Sequence, residues 1–192
     1  EMSYKYQGLD TAVVRHVQNF SPNIRFRYRF SKQTQLRLDY RGSTSQPSMT
    51  DLLDVVDDSD PLNITRGNPG LKPSYNNRIS SEFSTFNPDK QRHMMARLDY
   101  TNTLNSISSR MSYDAETGVR TTRPENINGD WNASAMFMLS TALKNQKFTI
   151  NTFTRGSYSN QPSYLFQNDE SMKNVTNNLS LMEALRFNYR SD

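Results

Sequence analysis

The residues able to do chemistry in this chain are few. Asp51, Asp54, Asp57, Asp58 and Asp60 crowd one short stretch. Carboxylates gathered in a loop can hold Ca²⁺, which takes about six to eight oxygen ligands. The stretch lacks the Gly and the terminal Glu of a calcium-loop motif. A cation at Asp57, Asp58 and Asp60 is therefore the lesser reading, and a solvated acidic loop the greater. Ser48 is placed to cap a short helix through Leu53. The two histidines, His16 and His93, stand far apart with no partner motif. They read as polar strand residues rather than bases or ligands. No Gly-x-Ser-x-Gly, phosphate loop or His-Glu-x-x-His occurs, so neither an enzyme nor a cofactor or metal is expected. There is no Cys, which excludes disulfides and thiolate metal sites.

The arginines are more telling. Arg25, Arg27 and Arg29 alternate along one run, and Arg37, Asp39 and Arg97 sit in similar runs. Lining a wet surface, they could bind or guide an anionic ligand. Tyr158, Tyr164 and Phe166 fall in a stretch that reads as a loop, Ser157 to Met172. Their rings could stack on a sugar or chelate, and partial loop burial explains them equally well.

The elements that carry these residues are strands. In Asn23 to Phe30, Ile24, Phe26, Tyr28 and Phe30 share one face and the arginines the other. In Thr34 to Arg41, Leu36, Leu38 and Tyr40 oppose Arg37, Asp39 and Arg41. Arg92 to Asn102 sets Met94, Ala96, Leu98 and Tyr100 against Arg97 and Asp99. Asp130 to Thr141 is partly amphipathic, because Met136 and Met138 join its polar side. In Lys147 to Thr154, Phe148 and Ile150 alternate and then Phe153 breaks register. Asn178 to Arg190 alternates but carries Glu183 among its apolar residues. A location near an interface or a β-bulge would each accommodate that charge. A soluble sandwich and a membrane barrel both show this alternation.

Composition narrows the choice. Only 34% of the 192 residues are hydrophobic, while 11% are aromatic. Mean hydropathy is -0.84. Alternating aromatic strands argue against disorder. No long apolar run supplies a membrane helix or signal peptide, and a β-barrel needs none, since only every second residue meets lipid. The net charge of +4 permits nucleic-acid binding. The basic residues are spread along strand faces and mixed with Asp, so no nucleic-acid partner is expected.

Connections fall into two kinds. Ser31 to Gln33, Asn87 to Lys90 and Lys144 to Lys147 are short polar turns, and Arg190 to Asp192 resembles a fourth. Gly42 to Ser74, the hairpin capped by Asp114 to Gly118, and Ser157 to Met172 are long or elaborate. Short turns at one end and long loops at the other is the layout of an outer-membrane barrel. Tyr40, Tyr100 and Trp131 lie toward the long-loop end of their strands, and Phe30, Phe148, Phe187 and Tyr189 toward the short-turn end. Two such belts suit two membrane interfaces.

The long loop carries a family resemblance. Pro47-Ser48 follows a strand, and Asn68-Pro69-Gly70-Leu71-Lys72-Pro73 stands just before the next. Phe20-Ser21-Pro22-Asn23 leads into the preceding strand. From about Phe20 onward, the chain resembles the TonB-dependent receptor barrels of Gram-negative outer membranes, nearest to their "outer membrane protein beta-barrel" branch. Within the motif, Pro69 and Pro73 fix backbone angles and Gly70 permits a turn. Leu71 should tuck in as an anchor. The motif, with Pro47, Ser48, Asn68, Pro69, Leu71, Lys72 and Pro73, is read as structural.

The resemblance implies a plugged barrel of the outer membrane importing a large or scarce nutrient, such as a chelate, vitamin or glycan. It implies outer-membrane lipid around the barrel, an energy-coupling TonB-type complex, and a surface lipoprotein as a further partner. The expected fold is all-β: an antiparallel up-and-down meander of about seven full strands and one partial one, part of a transmembrane β-barrel. Residues 1–192 form one barrel segment without a plug, with 1–22 an extracellular lead-in and partial strand and 43–74 a long extracellular loop. The competing reading is a soluble β-rich binding or adhesion module, which would need a second sheet over the apolar rows.

Overall fold

Alternating residues in antiparallel runs pair into sheets, and the computed structural model of this chain is nearly all sheet. It describes residues 2–5, 12–15, 18–53, 56–57, 59–143, 147–167 and 170–189. His16, Asp54, Asp58, most of the turn at 144–147 and the terminal turn at 190–192 lie outside these. Strands β1 (Met2–Lys5) and β2 (Ala12–Arg15) form a separate antiparallel hairpin where one partial strand was expected.

The main sheet holds seven strands. They are β3 (Asn23–Arg29), β4 (Thr34–Ser45), β7 (Ser74–Asn87), β8 (Arg92–Leu104), β11 (Asp130–Ala142), β12 (Phe148–Gln167) and β13 (Glu170–Tyr189). Each pairs antiparallel with the next, from β3 at one edge to β13 at the other. Between β4 and β7 lie the helix α1 (Met49–Leu52) and strands β5 (Val56–Asp57) and β6 (Asn63–Arg66). Between β8 and β11 lies the hairpin of β9 (Ser106–Tyr113) and β10 (Arg120–Ile127). These excursions join as a second sheet, ordered β5-β6-β10-β9, with β6 and β10 parallel. The meander is thus interrupted only at its long-loop end.

The short turns close as their sequences suggest. Phe30 N–H donates to Thr34 O at 3.0 Å, and Leu143 N–H to Phe148 O at 2.8 Å. Lys90 N–H donates to Asn87 Oδ1 at 3.0 Å, and Gln91 closes that turn at φ 43°. The Asp114–Gly118 turn joins β9 to β10, with Gly118 at φ 73°, where a side chain would be strained.

Two expectations need correction. Ser157 to Met172 is no loop: β12 runs on to Gln167 and β13 starts at Glu170. The two stay paired through every residue from Phe148↔Tyr189 to Gln167↔Glu170. Trp131, opposite Asn160, ends the pairing with β11, so the last seven residues of β12 stand clear of the sheet's other strands. At about 3.4 Å per residue the hairpin projects roughly 24 Å. In that part Pro162 and the consecutive Tyr164, Leu165 and Phe166 break the two-residue alternation, so it resembles a loop in sequence. Phe153 also breaks no register. It lies between Met138 and Ala184 on the face opposite Phe148 and Ile150.

Among the described residues, buried apolar side chains are confined to the loop layer. They are Leu52, Leu53, Leu71 and Ile127, with Leu71 only 1% exposed. Ser48 caps α1 as expected, its hydroxyl accepting from Asp51 N–H at 3.1 Å. Asn68 ties the layer together: its amide donates to Pro124 O at 2.8 Å and its Oδ1 accepts from Gly70 N–H at 3.0 Å. Gly67 passes so close to Leu53 that a Cβ there would lie 1.8 Å from the Leu53 carbonyl oxygen.

Candidate functional site

The sheet's register sorts its side chains into two faces. One row reads Ile24, Tyr40, Ile79, Tyr100, Ala133, Tyr158 and Leu179, each paired with the next across seven strands. Two residues further along, the row reads Phe26, Leu38, Ser81, Leu98, Ala135, Gly156 and Leu181. These apolar residues are not covered: Leu98 is 60% exposed and Leu181 76%. Large apolar area on a seven-strand scale is not left to water.

Aromatic rings bound this face at both ends. Trp131 lies 6.1 Å from Tyr100 and 5.4 Å from Tyr158 near the long loops. Phe148 meets Tyr189 at 4.9 Å, and Tyr28 meets Phe30 at 4.8 Å, toward the short turns. From Phe148 to Tyr158 along β12 is ten residues, or about 34 Å of strand. At a tilt of roughly 40° this spans about 26 Å along the membrane normal, which matches the apolar band of about 25 Å on outer-membrane barrels.

The opposite face is charged. Arg25 pairs with Asp39 at 3.6 Å. Arg37 meets Glu82 at 3.4 Å, and Glu82 meets Arg97 at 3.6 Å. Arg97 holds Asp99 with two forked bonds, 2.7 Å from Nε and 3.0 Å from Nη2. Arg78 reaches Asp99 at 3.7 Å. Arg27 stands directly opposite Arg37, and Arg29 opposite Gln35. Neither Arg27 nor Arg29 has an ion pair among the described residues. Arg25, Arg27, Arg29, Arg37, Asp39 and Arg97 thus share one face, as the alternation requires. Partly exposed pairs of this kind add at most about 1 kcal/mol each to stability, so their main effect is to set the polarity and field of the face.

Sequence reasoning missed Glu82 and Arg78 in this lattice, and Arg155, which lies on the same face between Met136 and Met182. Glu82 sits on β7, whose polar residues give little alternation, and only register places it between Arg37 and Arg97. Toward the short turns part of the same face is apolar, between Arg97 and Arg155 on one side and His93 and Arg186 on the other. Met95, Met138, Phe153 and Ala184 form one cross-strand row, beside Met136 and Met182 in the next. A hollow of about 570 Å³ opens there, with His93, Met138, Phe153 and Arg186 on its wall.

Three expected ligand residues separate. Tyr158 lies on the apolar face within the aromatic belt, which corrects its placement in a loop. Tyr164 and Phe166 are on the projecting part of β12. Arg110 lies over the Tyr164 ring at 5.5 Å, and Phe166 meets Tyr113 edge-on at 6.4 Å.

The loop motif acts through its backbone and Asn68. Leu71 N–H donates to Asn68 O at 3.1 Å. Lys72 is held by its main chain: its N–H donates to Asn126 Oδ1 at 2.7 Å, and its carbonyl accepts from the Asn126 amide at 3.0 Å. Pro69 and Pro73 frame that segment, and Pro47 is buried. Asn126, which no motif marks, is its counterpart on β10.

The acidic loop uses its carboxylates as turn acceptors. Asp57 Oδ1 accepts from Ser59 N–H at 3.1 Å. Asp60 accepts from Leu62 N–H at 3.1 Å and from the Asn63 amide at 2.8 Å. Bonds from Ser59, side chain first, hold Asp57 below its ordinary pKa, and the Asn63 and Leu62 bonds do the same for Asp60. No group of three potential metal ligands converges among the described residues.

Glu183 keeps to the apolar face. Pairing is unbroken around it, so no bulge turns it away, and its depth is near the middle of the band rather than at an interface. Its carboxylate accepts from Thr154 Oγ1 at 2.5 Å.

A model of the outer membrane protein beta-barrel family matches residues 1–191. The chain belongs to that family. No match was found among curated proteins or among solved structures. Membership settles which solvent each face meets: this outer-membrane barrel wall turns its apolar rows to lipid and its charged lattice to the lumen.

Proposed function

We propose that this barrel wall belongs to a plugged, TonB-dependent uptake receptor for a large or scarce nutrient. The observation that carries the reading is the mixed lumen face. A water-filled pore has a polar interior. Here Met95, Met138 and Phe153, with Met136 and Met182 beside them, form an apolar patch on the lumen side, set within the charged lattice. Such a wall suits a folded plug packed against this patch, with Arg25, Arg27, Arg29, Arg37, Asp39 and Arg97 facing a polar passage beside it. A bilayer tolerates no open sheet edge, so β3 and β13 need further strands to pair with. The motif from Asn68 to Pro73 and its resemblance to these receptors support the same reading. It brings with it an energy-coupling TonB-type complex and a surface lipoprotein as partners. A soluble module is disfavoured, since the apolar rows stay exposed among the described residues and the family is one of outer-membrane proteins.

The test is nutrient-limited growth and labelled-nutrient uptake by cells carrying the full-length protein. Uptake should stop with a protonophore or on loss of the inner-membrane coupling complex. Neutralising Arg27, Arg29 and Arg37 to Gln should reduce it. Uptake indifferent to the proton gradient would overturn the reading, as would unchanged uptake in the triple variant.

A further inference from the structure

Strands β11 to β13 carry a different lumen face from the charged strands beside them. Asn132 and Ser134 of β11 stand opposite Ser159 and Ser157 of β12. Further out on β12, Gln161 and Ser163 continue the same side onto the projecting hairpin. β13 answers with Ser180, Asn178, Thr176 and Asn174, each directly opposite one of the four β12 residues. The result is a neutral polar track that starts above the sheet and runs into the lumen. From Ser157 to Ser163 the strand rises about 20 Å.

The polar groups of this track are free. Asn132, Ser134, Ser157, Ser159, Gln161 and Ser163 make no side-chain hydrogen bond or ion pair among the described residues. This holds although β11 and the inner part of β12 have strands in place on both sides. All six residues are at least partly exposed. The charged lattice behaves differently, since Arg37, Glu82, Arg97 and Asp99 hold one another. Asp99, opposite Ser134 on β8, is taken up by the Arg97 fork. Between Ser157 and Ser163 this face carries neither a charge nor an aromatic ring on β12 or β13.

We infer that this track binds a neutral, polyhydroxylated chain, an oligosaccharide, on its way into the barrel. Hydroxyl and amide groups both donate and accept, as sugar hydroxyls do. Neighbouring strands lie about 4.8 Å apart, so a chain of sugar rings laid along β12 meets β11 and β13 as well. Neutral hydrogen bonds are individually weak in water, and weak binding repeated row after row lets a solute move on rather than lodge. A charged chelate finds no counter-charge on this track, and a flat vitamin finds no ring to stack on. The inference rests on the uptake reading and deepens it by choosing among chelate, vitamin and glycan, and it is scored by binding alone.

The experiment is calorimetric titration of the full-length protein in detergent micelles with isomaltohexaose, xylohexaose and mannohexaose, with ferric citrate and cyanocobalamin as competitors. At least one saccharide should bind, and neither competitor should displace it. The double variant Ser157→Ala with Ser159→Ala should weaken that saccharide at least about tenfold, the scale of two lost neutral hydrogen bonds. Thr152→Val removes a hydroxyl from the opposite face of β12, where Thr152 lies between Leu139 and Leu185, and should leave binding unchanged. A thermal melt separates a structural role: the double variant should melt with the unaltered protein, because neither hydroxyl bonds another side chain among the described residues. The inference falls if none of the three saccharides binds, or if either competitor displaces the bound one. It falls equally if the double variant binds as tightly as the unaltered protein, if it loses binding only by melting lower, or if Thr152→Val weakens binding as much. Saccharide binding without energised uptake would defeat the transport reading alone, and energised uptake of a nutrient with no saccharide bound would defeat this inference alone.

Discussion

Phe137 and Met138 are consecutive residues of β11 at nearly the same depth, yet they face opposite solvents. Phe137 pairs with Thr154, four residues from Tyr158 in the outer aromatic belt and six from Phe148 in the inner one. With about 3.4 Å per residue and a tilt of roughly 40°, it lies about 10 Å below the first belt and about 16 Å above the second. That is close to the middle of the bilayer. Phe137→Arg places a guanidinium there and should cost about 2–4 kcal/mol. Met138→Arg faces the lumen between Met95 and Phe153. It should cost less than about half as much, since a lumenal head can reach water along its own stem. The assay is urea unfolding of the full-length protein refolded into lipid vesicles, followed by tryptophan fluorescence. Equal destabilisation, or a larger loss for Met138→Arg, would refute the assignment of faces.

Two further outcomes follow from the loop layer. Leu71→Ala empties the best-buried apolar site and should destabilise that layer by about 2–5 kcal/mol. Hydrogen exchange should quicken around Leu52 and Ile127 while the strand amides at mid-membrane stay protected, and uniform quickening would count against a separate loop core. Asp57, Asp60 and Asp114 are each held below the ordinary carboxylate value of 3.8 by hydrogen bonds, the last chiefly by Thr117. A lowered folded pKa means stabilisation that is full above 3.8 and lost as pH falls through the folded value. Carbon-detected titration of these carboxyls should give midpoints below 3.8, and a midpoint at or above it would refute the turn bonds.

Much of this protein is local and was legible as such. Side chains alternate in a strand whatever it pairs with, so Ile24, Phe26 and Tyr28 part from Arg25, Arg27 and Arg29 in any sheet. The turns at Ser31 and Asn87 and the Ser48 cap depend on neighbours within a few residues. The Asn68 to Pro73 motif marked its own place before β7, and Leu71 its anchor. In the outer part of β12 Pro162 and the run Tyr164, Leu165 and Phe166 erase the alternation, which is why it reads as a loop.

What lies across strands needed the fold. Glu82 belongs between Arg37 and Arg97 only because β7 pairs with β4 and β8 in one register, and a slip of one residue would send it to lipid. Phe153 looks like a break in alternation until Met138 and Ala184 flank it and reveal an apolar lumen patch. Arg66 and Arg123 are distant in sequence, and the parallel pairing of β6 with β10 sets them side by side. Sequence decides which side of its own strand a residue takes, because that is the geometry of one backbone. Which residues meet is decided by pairing, because long-range register is a property of the whole sheet.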